Sequence, residues 1–511
     1  MPIIDTSTLS QNDINSDTEF VYNCLDCCVT MEVFEEVSTL YNQPPDIYSF
    51  SRALQAPVLE MMCRGFRVDE YERRNAITEI RSLIYRLNCQ LQVMARAVWD
   101  QELNPRSPKQ LLSFFYGKMK LPEIWTSQKG VRKLSMNMET LEKLEVYLHA
   151  RPIIAHILRI RELSKMLSVL ETEIDSDFRM RTSYNIGGTE SGRFSSSANA
   201  FGTGTNLQNL RQDPDWRSDD GRYKISLRKI FIADPGYKIC GIDLEQAESR
   251  EVGYQLGCLF DDWTYLDACE AGDLHTKTCQ LIWQDLGWTG DAKADRKLAD
   301  QNFYRQFSFR DMSKRGGHGS NYLGTPFTMA RHLKVPTKLM EHFQHAYFRA
   351  YPIPRWHTWT AGQIQTIQQL TTPFGRRRHF FGRPNDDTTL REAVAYIPQS
   401  ATADRMNLAL WRMWYYMKNI QLLAQVHDAV YFQFKENLDP QPLIAEAISH
   451  LRTPISHTRP NGQVRIFDVP GEAKVGWNWG NYHEKHNPDG LMKWKGQDDR
   501  KRSGSGLQRV M

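Results

Sequence analysis

The chain has 511 residues, with 64 Lys and Arg against 60 Asp and Glu, a formal net charge of +4, 41% hydrophobic residues and 24% charged ones. This is ordinary globular composition with length for about three domains, and it excludes global disorder. No run of about 18 apolar residues suggests a membrane span, and Met1–Asp17 lacks the basic-then-apolar pattern of a secretory leader, so no membrane partner and a cytoplasmic location (host cytoplasm if viral) are expected. The 9 cysteines include a bunched set, Cys24, Cys27 and Cys28, without a matching Cys/His pair at zinc spacing, and read as reduced thiols.

In chain order, Phe20 to Leu40 carries apolar residues at helical spacing, and Pro44-Pro45 sets a boundary near residue 48. Residues 49–181 read as mostly helix, in amphipathic stretches such as Arg73–Trp99 and Met138–Leu170, with a polar segment holding Asn104, Pro105, Ser107 and Pro108 between them. Such helices suit an arm that grips something elongated. Residues 182–211 are rich in Gly, Ser and Thr but punctuated by Arg193 and Arg211, a composition that lets a backbone approach another polymer closely. From 229 two β-prone runs flank Asp234-Pro235-Gly236, and a helix is expected from Gln246 to Leu256. Residues 264–350 read as helical, 360–381 and 420–435 as strands or hairpins, and the polar, basic tail after Tyr482 as frayed.

Three segments carry chemistry. In Tyr237–Arg250 an apolar strand runs into Asp243, with Glu245 and Glu248 close behind; such crowding is electrostatically costly without a cation or spacing. In Arg310–Gly324, Arg310, Lys314, His318 and Tyr322 are each four apart, which places them along one helical stripe. Gly316, Gly317 and Gly319 interrupt that helix at a cost of about 3 kcal/mol, which predicts a helix that moves or is closely approached by a ligand. In Leu422–Phe434 two β-prone runs flank His427-Asp428, which reads as a hairpin with a carboxylate at its tip. Together they fit phosphoryl transfer by two hard, oxygen-liganded cations held by Asp243 and Asp428, with the basic stripe neutralising phosphate charge. The absence of GxxxxGK[ST] speaks against a P-loop ATPase.

These residues resemble the family A (polymerase I-like) DNA polymerases, of a compact phage-type form. Asp243-Leu-Glu-Gln-Ala-Glu248 resembles the first palm motif, Arg310-x3-Lys314-x3-His318-x3-Tyr322 the fingers-helix motif, and Gln425-Val-His427-Asp428 the second palm motif. Thr189–Arg193, Asn206-Leu-Gln-Asn209, Asp273-Leu-His275, Arg391, Pro398-Gln399 and Val475–Trp479 match further, so the resemblance covers roughly 50–483. It implies an α+β right-hand fold with a helical thumb, an antiparallel-sheet palm and helical fingers. The expected divisions are an exonuclease-like remnant over 1–48, thumb over 49–181, palm over 182–260 and 386–483, fingers over 261–385, and a flexible basic tail over 484–511.

The implied activity is template-directed addition of deoxynucleotides to a primer 3′-OH; the alternatives are a single-subunit phage-type RNA polymerase or a polymerase-like DNA-binding protein without catalysis. Two Mg²⁺ ions, with Mn²⁺ as a substitute, are the implied cofactors. Primer–template DNA and dNTPs are the implied partners, with a separate 3′–5′ exonuclease or other replication proteins beside them. By the resemblance Asp243, Asp428 and the Leu244 carbonyl hold metal, and Asp243, Asp428 and Lys314 are catalytic. Arg310, Lys314, His318, Tyr322, Glu248, Gln246 and His275 bind the nucleotide; Arg193, Asn206, Gln208, Arg391, Gln399 and His427 touch DNA. Glu248 would exclude the ribose 2′-OH, since an apolar pocket alone rejects an added hydroxyl by only about 10²-fold. The chain departs from the family pattern at His318 (usually Phe or Tyr), at Ala429 (usually an acid) and at Tyr322-Leu323-Gly324 (usually Tyr-Gly). Tyr22-x3-Asp26 resembles the last exonuclease motif, but no Asp-x-Glu strand precedes it, so no proofreading is expected of this chain.

Overall fold

The computed structural model describes residues 16–39, 46–128, 131–199, 202–211, 213–214, 225–304 and 307–495. Pro44-Pro45 and the last sixteen residues of the expected tail lie outside them. The chain forms two compact units, Met1–Gln55 and Ala56–Met511. The break follows Gln55 rather than falling near 48, because the short helix Asp46–Ala53 groups with the first unit. That unit holds α1 (Ser16–Thr39), with Phe20, Val29, Phe34 and Val37 all exposed. No helix among the described residues is long and apolar enough to cross a membrane.

The second unit begins with a helical arm. Asp69 accepts a hydrogen bond from the Glu72 amide at 3.0 Å and so caps α2 (Glu70–Arg96), satisfying one of the orphan donors of the first turn. This helix lies along α3 (Arg151–Leu170), and Leu91, Phe114, Phe115, Ile153, Ile154 and Ile157 form the core of the arm. The stretch expected as one helix over Met138–Leu170 is two: Met138–Leu144 ends in turns, and α3 restarts with Pro152 in its first turn, where the missing N–H costs nothing.

The centre is a five-stranded antiparallel sheet. In chain order its strands are β1 (Tyr237–Leu244), β2 (Ile420–Val426), β3 (Ala429–Lys435), β4 (Gly471–Gly476) and β5 (Met492–Lys493), arranged spatially as β2-β3-β1-β4-β5. Gly241 sits opposite Tyr431, and a Cβ there would fall 2.6 Å from the tyrosine ring, so only glycine lets that ring lie flat across β1. The fifth strand corrects the expected tail. Met492–Lys493 pairs with Lys474 and Val475, and Leu491 is buried, so the ordered sheet continues to within a few residues of 495. Phe66, Phe231, Ile239, Leu423 and Trp479 make the core on one side of this sheet.

The third layer is helical, comprising α4 (Ala247–Phe260), α5 (Leu274–Ile282), α6 (Ala292–Ala299), α7 (Phe309–Asn321), α8 (Thr337–Ala350) and α9 (Asp387–Tyr416) with further helices between. Val252, Leu256, Tyr265, Met312, Phe343, Tyr347 and Trp356 pack into its core. Two departures mark residues 264–381. Asn302–Tyr304 and Phe307–Ser308 form a small antiparallel pair just before α7. The expected hairpin is shorter than 360–381, pairing Gln369–Thr371 with Arg377–His379, because the preceding helix runs on to Thr366.

Candidate active site

Asp243 is the seventh residue of β1, and Asp428 follows His427 at the turn between β2 and β3. His427 adopts φ +55°, the left-handed conformation a two-residue hairpin demands, and stands exposed. The register sets Ala429 opposite Asp243 and lets the Leu244 amide donate to the Asp428 carbonyl at 3.1 Å. Two aspartates 185 positions apart therefore meet at the same end of adjacent strands and line one cleft of about 450 Å³. On the other flank of β1, Glu472 lies opposite Asp243.

The pairing has an electrostatic cost. Burial first, and then the charge of Asp428, push the Asp243 carboxyl up from 3.8 to about 7. The Asp428 carboxyl is also raised, chiefly by burial, although Arg193 opposes the shift. Asp243 opens onto the solvent of the cleft, yet its flanks are walled by the sheet, so its ionised form lacks a full hydration shell. The donor set is two carboxylates with the Leu244 carbonyl beside them, all hard oxygen ligands, and the pair is short of positive charge. These residues fit a hard divalent cation.

The facing wall is α7. Ser308 and Asp311 form a reciprocal capping box, with the Asp311 amide donating to Ser308 Oγ at 3.0 Å, which fixes where the helix starts and so which face it turns to the cleft. Arg310, Lys314, Gly317 and His318 line the cleft together with Asp243 and Asp428. Tyr322, expected on the same helical stripe, is the residue just past the helix end. Its ring packs edge-on against His318 at 4.9 Å, and its hydroxyl donates to Glu248 Oε2 at 2.9 Å. Glu248 also accepts from Arg193, so one carboxylate ties the first turn of α4, the Gly/Ser-rich segment and the end of α7 together. Burial, then the Glu248 charge, drives the Tyr322 phenol far above its usual range.

The three glycines of α7 have a packing reason. A Cβ at Gly316 would lie 2.5 Å from the Phe343 ring, and one at Gly319 would lie 2.5 Å from Met329 Sδ. They allow the back of the helix to seat against α8 and its neighbour; only Gly317, against Tyr347, also borders the cleft.

Around the cationic end, His275 is held near 4 by burial and then by Arg310, so it is neutral at pH 7. Gln246, in the left-handed conformation at φ +53°, donates to the Gly272 carbonyl at 3.2 Å and lines the cleft. Asp273 grips Arg310 through Nε at 2.8 Å and Nη2 at 3.1 Å. The resemblance matches the Asp273-Leu-His275 segment but assigns Asp273 no role; its side chain makes no capping bond to α5 and engages arginine instead.

The expected DNA-contact residues divide. Arg193 and His427 border the site. Asn206 and Gln208 make bonds within the protein: Ser196 Oγ donates to one or the other of their amide oxygens, Asn206 caps a short helix, and Gln208 Nε2 donates to Gln425 Oε1 at 3.1 Å. With the buried Leu207 and the Tyr184 hydroxyl bonded to the Gln425 carbonyl, these amides help hold the Gly/Ser-rich segment against β2. Gln399 is half-buried on α9 beside Pro398, and Arg391 is exposed in the same helix, 3.9 Å from Asp387; neither lines the cleft.

Comparison with known proteins agrees with this architecture. The model of DNA polymerase family A matches residues 75–480, and the chain belongs to that family. It is 27% identical over 439 residues to DNA polymerase I of Helicobacter pylori, covering 80% of this chain and 43% of that protein. It is 26% identical over 438 residues to the thermostable DNA polymerase I of Thermus aquaticus, covering 83% and 47% respectively. The chain thus spans less than half the length of these curated relatives. Among solved structures, the POL domain of Pol1 from M. smegmatis, in complex with DNA primer-template and dNTP, superposes with a TM-score of 0.63 at 21% identity, covering 83% of this chain and 69% of that one. The fold is the right-hand polymerase fold, with mixed helix and antiparallel sheet. Family membership carries a general dependence on divalent metal.

Proposed function

We propose that the protein is a DNA-directed DNA polymerase that adds deoxynucleotides to a primer 3′-OH under the direction of a template. The observation that carries the reading is the single cleft in which Asp243 and Asp428, brought together by the β1–β3 register, face Arg310, Lys314 and His318 on α7. An acidic pair opposite a cationic stripe suits a triphosphate that must be gripped at one end and attacked at the other. The arm of α2 and α3 serves as thumb, the five-stranded sheet with α4 and α9 as palm, and the helices between α4 and α9 as fingers.

Asp243, Asp428 and the Leu244 carbonyl would hold Mg²⁺, with Mn²⁺ able to replace it. When bound, such ions neutralise phosphate charge and lower the pKa of the attacking hydroxyl. The chain's own residues do the rest. Lys314 and Arg310 bind the phosphates, and neutral His275 donates a hydrogen bond without adding repulsion to Arg310. His318 packs against the nascent base pair beside Tyr322. Glu248, held in place by Tyr322 and Arg193, occupies the position where a ribose 2′-OH would need room, which favours dNTPs over ribonucleotides. Arg193, His427, Gln399 and Arg391 contact primer or template along the track beyond the cleft. The reading gains support from the family match over most of the chain and from the primer-template and dNTP bound to the M. smegmatis relative.

The test is Mg²⁺-dependent extension of a primed template with each nucleotide type. Extension with dNTPs that is lost in Asp243→Asn and Asp428→Asn, while primed DNA is still bound, is the expected outcome. Extension surviving either substitution, or faster extension with ribonucleotides, refutes it. Removal of a mismatched primer end by the purified chain would refute the absence of proofreading.

A further inference from the structure

We infer that Asp273 is a positioning residue that holds Arg310 between nucleotides and takes it back from departing pyrophosphate, an inference that rests on the phosphate-binding role proposed for Arg310. Asp273 immediately precedes α5, and Arg310 lies in the first turn of α7. The carboxylate engages the guanidinium as a fork: Arg310 Nε donates to Oδ2 at 2.8 Å and Nη2 to Oδ1 at 3.1 Å. This is the bidentate geometry by which arginine also grips a phosphate. Carboxylate and phosphate therefore compete for the same edge of one side chain.

The surroundings make that competition consequential. Arg296 of α6 donates to Asp273 Oδ2 at 3.1 Å, and Thr276 donates to the same oxygen at 2.5 Å. Asp273 thus stands between two arginines, with Lys314 one turn along α7 from Arg310. The other acids within reach are already committed: Asp300 accepts from Arg296 at 2.9 Å, and Asp311 belongs to the capping box. Against the upward push of burial, the hydrogen bonds from Arg310 and Thr276 hold Asp273 down at about 2, so it carries its charge at all working pH values. Take away that charge and Arg296 keeps Asp300, while Arg310 and Lys314 are left without a facing carboxylate and retain an anion more tightly. With it, the carboxylate competes with either phosphate ligand for the same arginine edge, and pyrophosphate, which lacks the base and sugar contacts of a dNTP, is the more easily displaced. Gln246, bonded to the Gly272 carbonyl, links this counter-ion to the strand end that bears Asp243.

The experiment is direct binding of pyrophosphate and of a dNTP to the full-length protein by calorimetry, alongside steady-state extension. Asp273→Asn should tighten pyrophosphate about tenfold, the scale of one charge-assisted hydrogen-bonded pair, and lower kcat and the dNTP KM together as release slows. In an Arg310→Gln background the same substitution should change pyrophosphate binding less than twofold. A structural defect would do the reverse and weaken both ligands. Thr276→Val, a milder change that removes one bond to Asp273, should move pyrophosphate affinity in the same direction by about twofold. Unchanged or weaker pyrophosphate binding in both variants, or an equal effect without Arg310, overturns the inference. If the unaltered protein binds neither dNTP nor pyrophosphate, the nucleotide pocket itself falls; if it binds both and Asp273→Asn changes nothing, only the role of Asp273 falls.

Discussion

Asp243→Asn should make the metal-free protein more stable while abolishing extension. The Asp243 carboxyl lies near 7 in the folded chain against 3.8 for a free one, so folding takes up a proton at this site between those values. The native state is therefore unpenalised below about 4, loses stability as pH rises through 7, and carries the whole penalty above it. A shift of about three units corresponds to about 4 kcal/mol as an upper bound. Because Asp243 opens to the solvent of the cleft, screening reduces that to about 1–2 kcal/mol. For 511 residues the unfolding entropy is about 1 kcal/mol per degree, which makes the expected gain in Tm about 1–2 °C at pH 8. Calorimetric melting of both proteins in EDTA at pH 5 and pH 8 is the assay, with a smaller difference expected at pH 5. Adding Mg²⁺ at pH 8 should raise the Tm of the unaltered protein and leave the variant unmoved. A variant that is less stable at pH 8, or a difference independent of pH, would show that the acidic pair is not strained in the way the strand register implies.

Other outcomes follow from neighbouring contacts. Glu248→Ala removes the acceptor for both Tyr322 and Arg193, and discrimination against ribonucleotides should fall by at least about tenfold in competitive incorporation. Lys314→Ala should raise the dNTP KM by about 30-fold or more and change primer–template affinity less than threefold; the opposite pattern would move Lys314 to the DNA track. Gly316→Ala improves helix propensity yet forces a Cβ against Phe343, and urea melts should show a loss of about 1–3 kcal/mol. Arg405→Leu would strand Glu251, its fully buried partner at 2.6 Å, and should cost about 3–5 kcal/mol, a loss that Glu251→Leu in the same chain should partly restore.

The acids and cations of the cleft were legible because their spacing reports local geometry. Asp243 ends an apolar strand, His427-Asp428 interrupts two β-prone runs, and Arg310, Lys314 and His318 recur at the helical period. Partners that depend on tertiary contact were not legible. Asp273 resembles a helix cap until Arg310 is seen beside it, and the Arg405–Glu251 pair is separated by 154 positions with no local pattern to announce it. The glycines of α7 stand out for their cost, but the cause lies on α8 and on the helix before it, which the period of α7 cannot report. The resemblance assigns Asn206 and Gln208 to DNA, and no local pattern reports their bonds within the protein. Those bonds form because Ser196 and Gln425 lie within reach. The tail failed for a similar reason, since a polar composition conceals two residues that complete a sheet edge.

The seating of α7 limits how the cationic wall can travel. Phe343 and Met329 stand where side chains would be at Gly316 and Gly319, so the helix cannot roll about its long axis without driving its own backbone into those groups. A swing of Arg310 and Lys314 toward a bound nucleotide is therefore expected to carry α8 with it, and substitutions on α8, far from any phosphate, to change its speed.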